Sequence, residues 1–126
     1  MINQQTAAKM SSTEFVTKLY QAVDARSIEG LAPFLADEVY FQLANAQPLH
    51  GKAAVLDANA AFFKSIAAMS HRIDNVWSQG DDVICNGQVN YTRLDGSHFA
   101  APFATILKLH HGQITNYLIY TDASEL

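Results

Sequence analysis

The chain predicts an α+β domain, with helices gathered in its first half and an antiparallel sheet built from its second. Three observations carry that prediction. Up to about residue 70, apolar side chains recur mainly at helical spacing. Beyond it, β-prone runs follow one another at strand length. Turn residues join these runs: Gly80-Asp81-Asp82, Asp95-Gly96-Ser97 and His111-Gly112-Gln113. Asp-Gly between two β-prone runs is a strong hairpin signal.

Taken in order, residues 1–10 (MINQQTAAKM) form a loose lead-in and 11–126 a single domain. Ser11 and Glu14 have capping-box spacing. Phe15, Val16, Leu19, Tyr20 and Val23 then mark the buried stripe of a helix over 12–25. Ser27 caps a second helix over 28–36, which turns Leu31, Phe34 and Leu35 inward and which Pro33 shortens or bends. A short strand is expected at 39–43, then a turn-rich loop over 45–51 containing Pro48. The third helix is expected over 52–69, with Val55, Leu56, Phe62, Phe63, Ile66 and Met69 spaced for burial. Asn59 falls on that stripe and needs a partner if buried. Four strands near 71–78, 82–94, 98–110 and 113–122 complete the order, with the helices on one sheet face.

Composition narrows the function classes. A chain of 126 residues, 49% hydrophobic and 16% charged, has the length of one domain and is not disordered. A formal charge of −4 with scattered Lys and Arg argues against a nucleic-acid partner or an anionic membrane surface. No run reaches the ~20 apolar residues that span a bilayer. Cys85 is the sole cysteine, and the N-terminal residues lack the apolar core of a secretion signal. A soluble, cytoplasmic domain is expected.

The runs FVTKLYQAVDARSIEGLAPFLADEVYF (15–41), PLHGKAAV (48–55), HRIDNVWSQGDDVICNGQVNYTRLDG (71–96) and HHGQITNYLIYTD (110–122) resemble the SnoaL-like branch of the nuclear transport factor 2-like superfamily. The resemblance implies a strongly curved, mostly antiparallel sheet wrapped with three helices into a cone whose open end holds a small apolar or aromatic molecule. Ketosteroid isomerase, scytalone dehydratase, limonene epoxide hydrolase and polyketide cyclases share that fold with non-catalytic binding modules, so the residues must decide the function.

The resemblance makes Asp122 the first candidate. Strand alternation puts Asn116, Leu118, Tyr120 and Asp122 on one face. The resemblance makes this the cavity face and Asp122 the acid–base group; the plainer alternative is a strand-end cap. Ketosteroid isomerase chemistry is not supported, because its three roles fall on or near Leu19, Leu43 and Ala104. An epoxide-hydrolase relay finds Asp122 but no matching arginine in Arg72 or Arg93, and the cyclase histidine position holds Ile106 and Lys108, with His110 just beyond.

His71 shares a strand face with Ile73, Asn75 and Trp77, where it relays a proton or caps the preceding helix; Tyr120 is a second orienting candidate. Phe15, Phe34, Tyr40, Phe62, Trp77 and Tyr91 either surround a cavity or fill the core, and Leu19, Ala104 and Ile106 join them as pocket candidates. No cofactor and no metal are expected: His110 and His111 point to opposite sheet faces by alternation, and metal-ligand spacing is absent. Cys85 reads as a buried small hydrophobe. Alternation gives 82–94 an apolar face (Val83, Cys85, Val89, Tyr91) and a polar one (Asn86, Gln88, Asn90, Thr92). A homodimer is expected through the outer sheet face, using Tyr117, Ile119, Asn86, Gln88 and Asn90. The expected activity is small-ligand binding with cofactor-free acid–base catalysis of isomerase, cyclase, dehydratase or hydrolase type; the alternative is a non-catalytic dimeric accessory module.

Overall fold

The computed structural model describes residues 10–126, so the lead-in expected over 1–10 lies, Met10 apart, outside the described residues. Helix α1 runs Ser12–Asp24, and Ser11 starts it by accepting the Glu14 N–H on its hydroxyl at 3.1 Å. Its stripe of Phe15, Val16, Leu19, Tyr20 and Val23 is buried. Helix α2 is only Ile28–Leu31, capped by Ser27, and a 3₁₀ turn over Ala32–Phe34 follows it. Pro33 offers no N–H to continue the ladder, so the chain leaves the helix before the expected 36 and Leu35 opens a strand.

Strand β1, Leu35–Leu43, is accordingly longer than the expected 39–43, and the loop expected over 45–51 contains a short partner strand β2, Leu49–His50. Helix α3 is Lys52–Lys64 and stops short of the expected 69. Ser65 ends it, its N–H and hydroxyl both donating to the Phe62 carbonyl at 2.9 and 2.6 Å. Arg26, at φ 54°, donates to the carbonyls of Phe63 and Ile66 at 3.3 and 3.1 Å. Ile66 and Met69 still enter the core, but from strand β3, where an irregularity between Ile66 and Ala68 gives them their three-residue spacing.

The remaining strands are β3 Ile66–Gln79, β4 Asp82–Arg93, β5 His98–His110 and β6 Gln113–Thr121. They form one curved six-stranded sheet, ordered β2-β1-β6-β5-β4-β3, in which the β1–β6 pair alone is parallel among the described residues. Helix α1 packs on β3 and α3 on β1. The α+β architecture of the sequence reading, with three helices and a cone-like curved sheet, is therefore the fold.

Two bulges decide what faces inward. In β3, Ile73 pairs with Gly87 and Asn75 with Asn86, so Asp74 is an extra residue. In β6, Ile114 pairs with Leu109 but Asn116 with Lys108, so Thr115 is extra. Each extra residue reverses the alternation beyond it. Trp77 consequently points out, opposite Ile84, instead of inward with His71. Tyr117 and Ile119 face inward, while Asn116, Leu118 and Tyr120 face out, the reverse of the expected faces. Gly87 lies opposite the β3 bulge, and a Cβ there would sit 1.7 Å from the Arg72 carbonyl oxygen. The alternation within β4 holds: Val83, Cys85, Val89 and Tyr91 are buried.

Candidate functional site: a small cavity with a carboxylate-held histidine

The inner sheet face and helix α3 border a part-open cavity of about 170 Å³. Phe41, Leu43 and Leu49 line it from β1 and β2, and Tyr117 and Ile119 from β6. Ala58, Asn59, Phe62 and Phe63 come from α3, and Ala46 and Gln47 from the loop between β1 and β2. Tyr20 and Val23 of α1, Met69 and His71 of β3, and Tyr91 of β4 complete the wall. No Lys, Arg, Asp or Glu is among these lining residues.

His71 is the chemically distinctive member. Its Nδ1 lies 2.6 Å from Asp24 Oδ1, and its backbone N–H donates to Asp24 Oδ2 at 2.9 Å. Helix α1 delivers Asp24 from its last residue, and β3 delivers His71 just after the core residue Met69. The Tyr20 ring lies against the imidazole at 4.3 Å between centroids, and the Phe103 ring meets it edge-on at 5.0 Å. With side-chain exposures of 7% for His71 and 26% for Asp24, the pair is shielded on the histidine side. A carboxylate on Nδ1 favours the tautomer with its proton there and leaves Nε2 as the nitrogen with the free lone pair.

Tyrosine hydroxyls surround this pair. Tyr20 shares a 2.6 Å hydrogen bond with Thr105, which is itself fully buried. Burial pushes the Tyr20 phenol well above its ordinary range, and Tyr117 and Cys85 nearby push the same way. Burial also raises Tyr117, partly opposed by its hydrogen bond with Tyr20. Tyr91 is pushed up to about 12 by burial, with the Asp24 charge adding to the effect. All three phenols therefore remain protonated near neutral pH.

Of the residues expected at the site, His71, Phe62 and Tyr91 line the cavity. Phe15 and Leu19 are buried in the core without lining it, and Phe34 packs edge-on against Phe15 at 5.3 Å. Tyr40 packs edge-on against His50 at 5.0 Å. Trp77, 53% exposed, and the outer-face residues Ala104, Ile106, Asn116 and Leu118 do not reach the cavity, because of the two bulges and the β5 alternation. Tyr120 is 52% exposed on that outer face. Asp122 lies just past β6, exposed, and accepts the Ser124 N–H at 3.0 Å. That local bonding holds its carboxyl below the ordinary range, as in the plainer strand-end alternative. His110 and His111 do not diverge: His111 takes φ 52° in the turn, and the two rings meet at 4.1 Å. Among the described residues no three His, Cys, Asp or Glu side chains converge as metal ligands.

The sequence reading missed Asp24 and the roles of Tyr20 and Tyr117. Asp24 did leave a signal: an acidic side chain in the last turn of a helix is opposed by the helix dipole and needs a reason to be there. It also stands four residues after Tyr20, on the side that faces the sheet. Asn59, the polar residue on the α3 stripe, lines the cavity and finds its partner in the Val55 carbonyl, to which its Nδ2 donates at 2.9 Å.

The family profile of the SnoaL-like domain matches residues 16–117, and the chain belongs to that family. No curated protein sequence matches it. Among solved structures it resembles an NTF2-like protein of unknown function from Burkholderia pseudomallei K96243, with 20% identity, TM-score 0.79, and 92% of this chain and 95% of that one covered. A hypothetical protein with a ketosteroid isomerase-like fold from Catenulispora acidiphila DSM 44928, in complex with trimethylamine, has 20% identity, TM-score 0.79, and 87% and 86% coverage. TerC, co-crystallised with polyporic acid, has 19% identity, TM-score 0.79, and 90% and 93% coverage. At these identities the likeness is one of fold. No helix among the described residues is long and apolar enough to cross a membrane.

Proposed function

We propose that the protein binds a small, mostly apolar molecule in this cavity and moves a proton on it without a cofactor. His71 Nε2 is the acceptor and donor, Asp24 holds the ring, and a tyrosine hydroxyl steadies the negative charge that develops. The observation that carries this reading is the 2.6 Å carboxylate–imidazole contact in the wall of an otherwise largely apolar cavity. A base that takes a proton at one position and returns it at another serves isomerase, dehydratase, cyclase and hydrolase chemistries alike. Small molecules bound by proteins of this fold, polyporic acid in TerC and trimethylamine in the Catenulispora protein, support the ligand half of the reading. Asp122 and Tyr120 are outside the cavity wall and take no part in the proposed chemistry.

The test is exchange of the α-protons of cyclohex-2-enone in D2O. The wild type exchanges them above the buffer rate. His71→Gln loses at least about 100-fold of that excess, the usual contribution of a positioned acid–base group. Equal rates in protein and buffer overturn the acid–base half.

The outer sheet face supports the accompanying proposal of a homodimer. Trp77, Ile84, Ile106 and Leu118 lie in one cross-strand row on that face, and Tyr120 projects beside it. This row replaces Tyr117 and Ile119 in the expected interface, because those two line the cavity; Asn86, Gln88 and Asn90 remain on the outer face beside it. A cytoplasmic location belongs to the same reading.

A further inference from the structure

We infer that the cavity selects a neutral, single-ring molecule bearing one oxygen function, bound with that oxygen toward β3 and β4 and its carbon end toward β1 and β6. The inference rests on the reading that the cavity holds a small ligand and adds its size, charge and direction.

Size comes from the volume. At about 170 Å³, the cavity is close to the order of 150 Å³ of apolar space that accepts a benzene ring, and below the roughly 300 Å³ where drug-sized sites begin. A fused multi-ring molecule would leave most of itself outside the mouth.

Charge comes from the wall. It carries no Lys or Arg side chain to receive an anion, and Asp24, standing behind His71, opposes one. A cation fares no better, because both Asp24 oxygens are already engaged by His71. An ion entering the cavity gives up its hydration without a counter-charge.

Direction comes from the sheet order. His71 and Tyr91 stand on β3 and β4 at one edge, whereas Phe41, Leu43 and Ile119 stand on β1 and β6 toward the other. The Tyr20 and Tyr117 hydroxyls already bond Thr105 and each other. His71 Nε2 and the Tyr91 hydroxyl make no such bond among the described residues, and neither is sealed from solvent, so both stay open to a ligand oxygen.

Calorimetry with 4-methylphenol, toluene, 4-methylbenzoate, 4-methylbenzylamine and progesterone tests size and charge. The expected order places 4-methylphenol about tenfold tighter than toluene, the value of one good hydrogen bond. Both charged analogues and progesterone should show no saturable binding. Tyr91→Phe and His71→Phe should each erase most of the phenol-over-toluene preference while toluene still binds, which also shows that each variant is folded. Direction is read from NOEs, expected from the 4-methylphenol methyl group to the methyls of Leu43 and Ile119. Tight binding of progesterone or of either ion, or NOEs from that methyl to Met69 instead, overturns the inference and leaves the ligand cavity standing. If none of the five binds, the ligand reading falls with it.

Discussion

His71 owes its position to one carboxylate that holds it at two points, the ring Nδ1 and the backbone N–H. Asp24→Asn keeps the shape but replaces a charge-assisted contact with a neutral one. It should lower the excess cyclohexenone exchange about tenfold or more while 4-methylphenol binds nearly unchanged. Unchanged exchange in Asp24→Asn would mean the carboxylate serves folding alone. A different residue contributes to the alkaline limit of stability. Burial pushes the Cys85 thiol from an ordinary 9.0 up to about 11. A folded-state value above the unfolded one stabilises the protein while the group stays protonated. That contribution is whole below pH 9 and is lost as pH rises through 11. Denaturant unfolding measured from pH 8 to 11 should show stability falling by about 2–3 kcal/mol from this group. Cys85→Ala should flatten the part of the slope below pH 11, and an unchanged slope would assign the loss to the buried tyrosines.

At the scale of elements, the bulges matter most. The β3 bulge brings the Arg72 carbonyl so close to Gly87 that no other residue fits without moving backbone. Gly87→Ala should therefore cost about 1–3 kcal/mol or more, the usual range for overpacking, in a chemical-denaturation measurement. A neutral result would mean that β3 shifts freely against β4. The same two bulges mark where the sequence stops being legible. Helical spacing and cap residues gave α1 nearly to the residue, and turn chemistry gave the hairpins. Strand alternation separated the two faces of β4 correctly, because Asp82–Arg93 carries no bulge against β5, but left open which face lines the cavity. In β3 and β6 one extra residue reversed the faces, and neither Asp74 nor Thr115 announces itself as a bulge in sequence. His71 precedes the Asp74 bulge in its strand; Tyr117 was placed outward because the resemblance made the Asn116, Leu118 and Tyr120 face the cavity face, and it lies beyond the β6 bulge. Ile66 and Met69 fit a helix by spacing alone; the Ser65 cap, the hold of Arg26 on the end of α3 and pairing with β4 go with their place in a strand.

For the whole molecule, the sheet separates two roles. Its inner face carries the cavity, and its outer face carries the row that begins at Trp77. Light scattering should give twice the 13.8 kDa chain mass, and Trp77→Glu should return the monomer without changing 4-methylphenol affinity. A 13.8 kDa species for the wild type at high micromolar concentration would remove the dimer. Whether the carboxylate-held imidazole presents Nε2 to a ligand in the cavity is read from the ¹⁵N shifts of the His71 ring, recorded at a pH where the ring is neutral, with and without 4-methylphenol. The expected result is a proton on Nδ1 and an Nε2 resonance that moves on saturation. A proton on Nε2, or an Nε2 resonance indifferent to bound ligand, would contradict it.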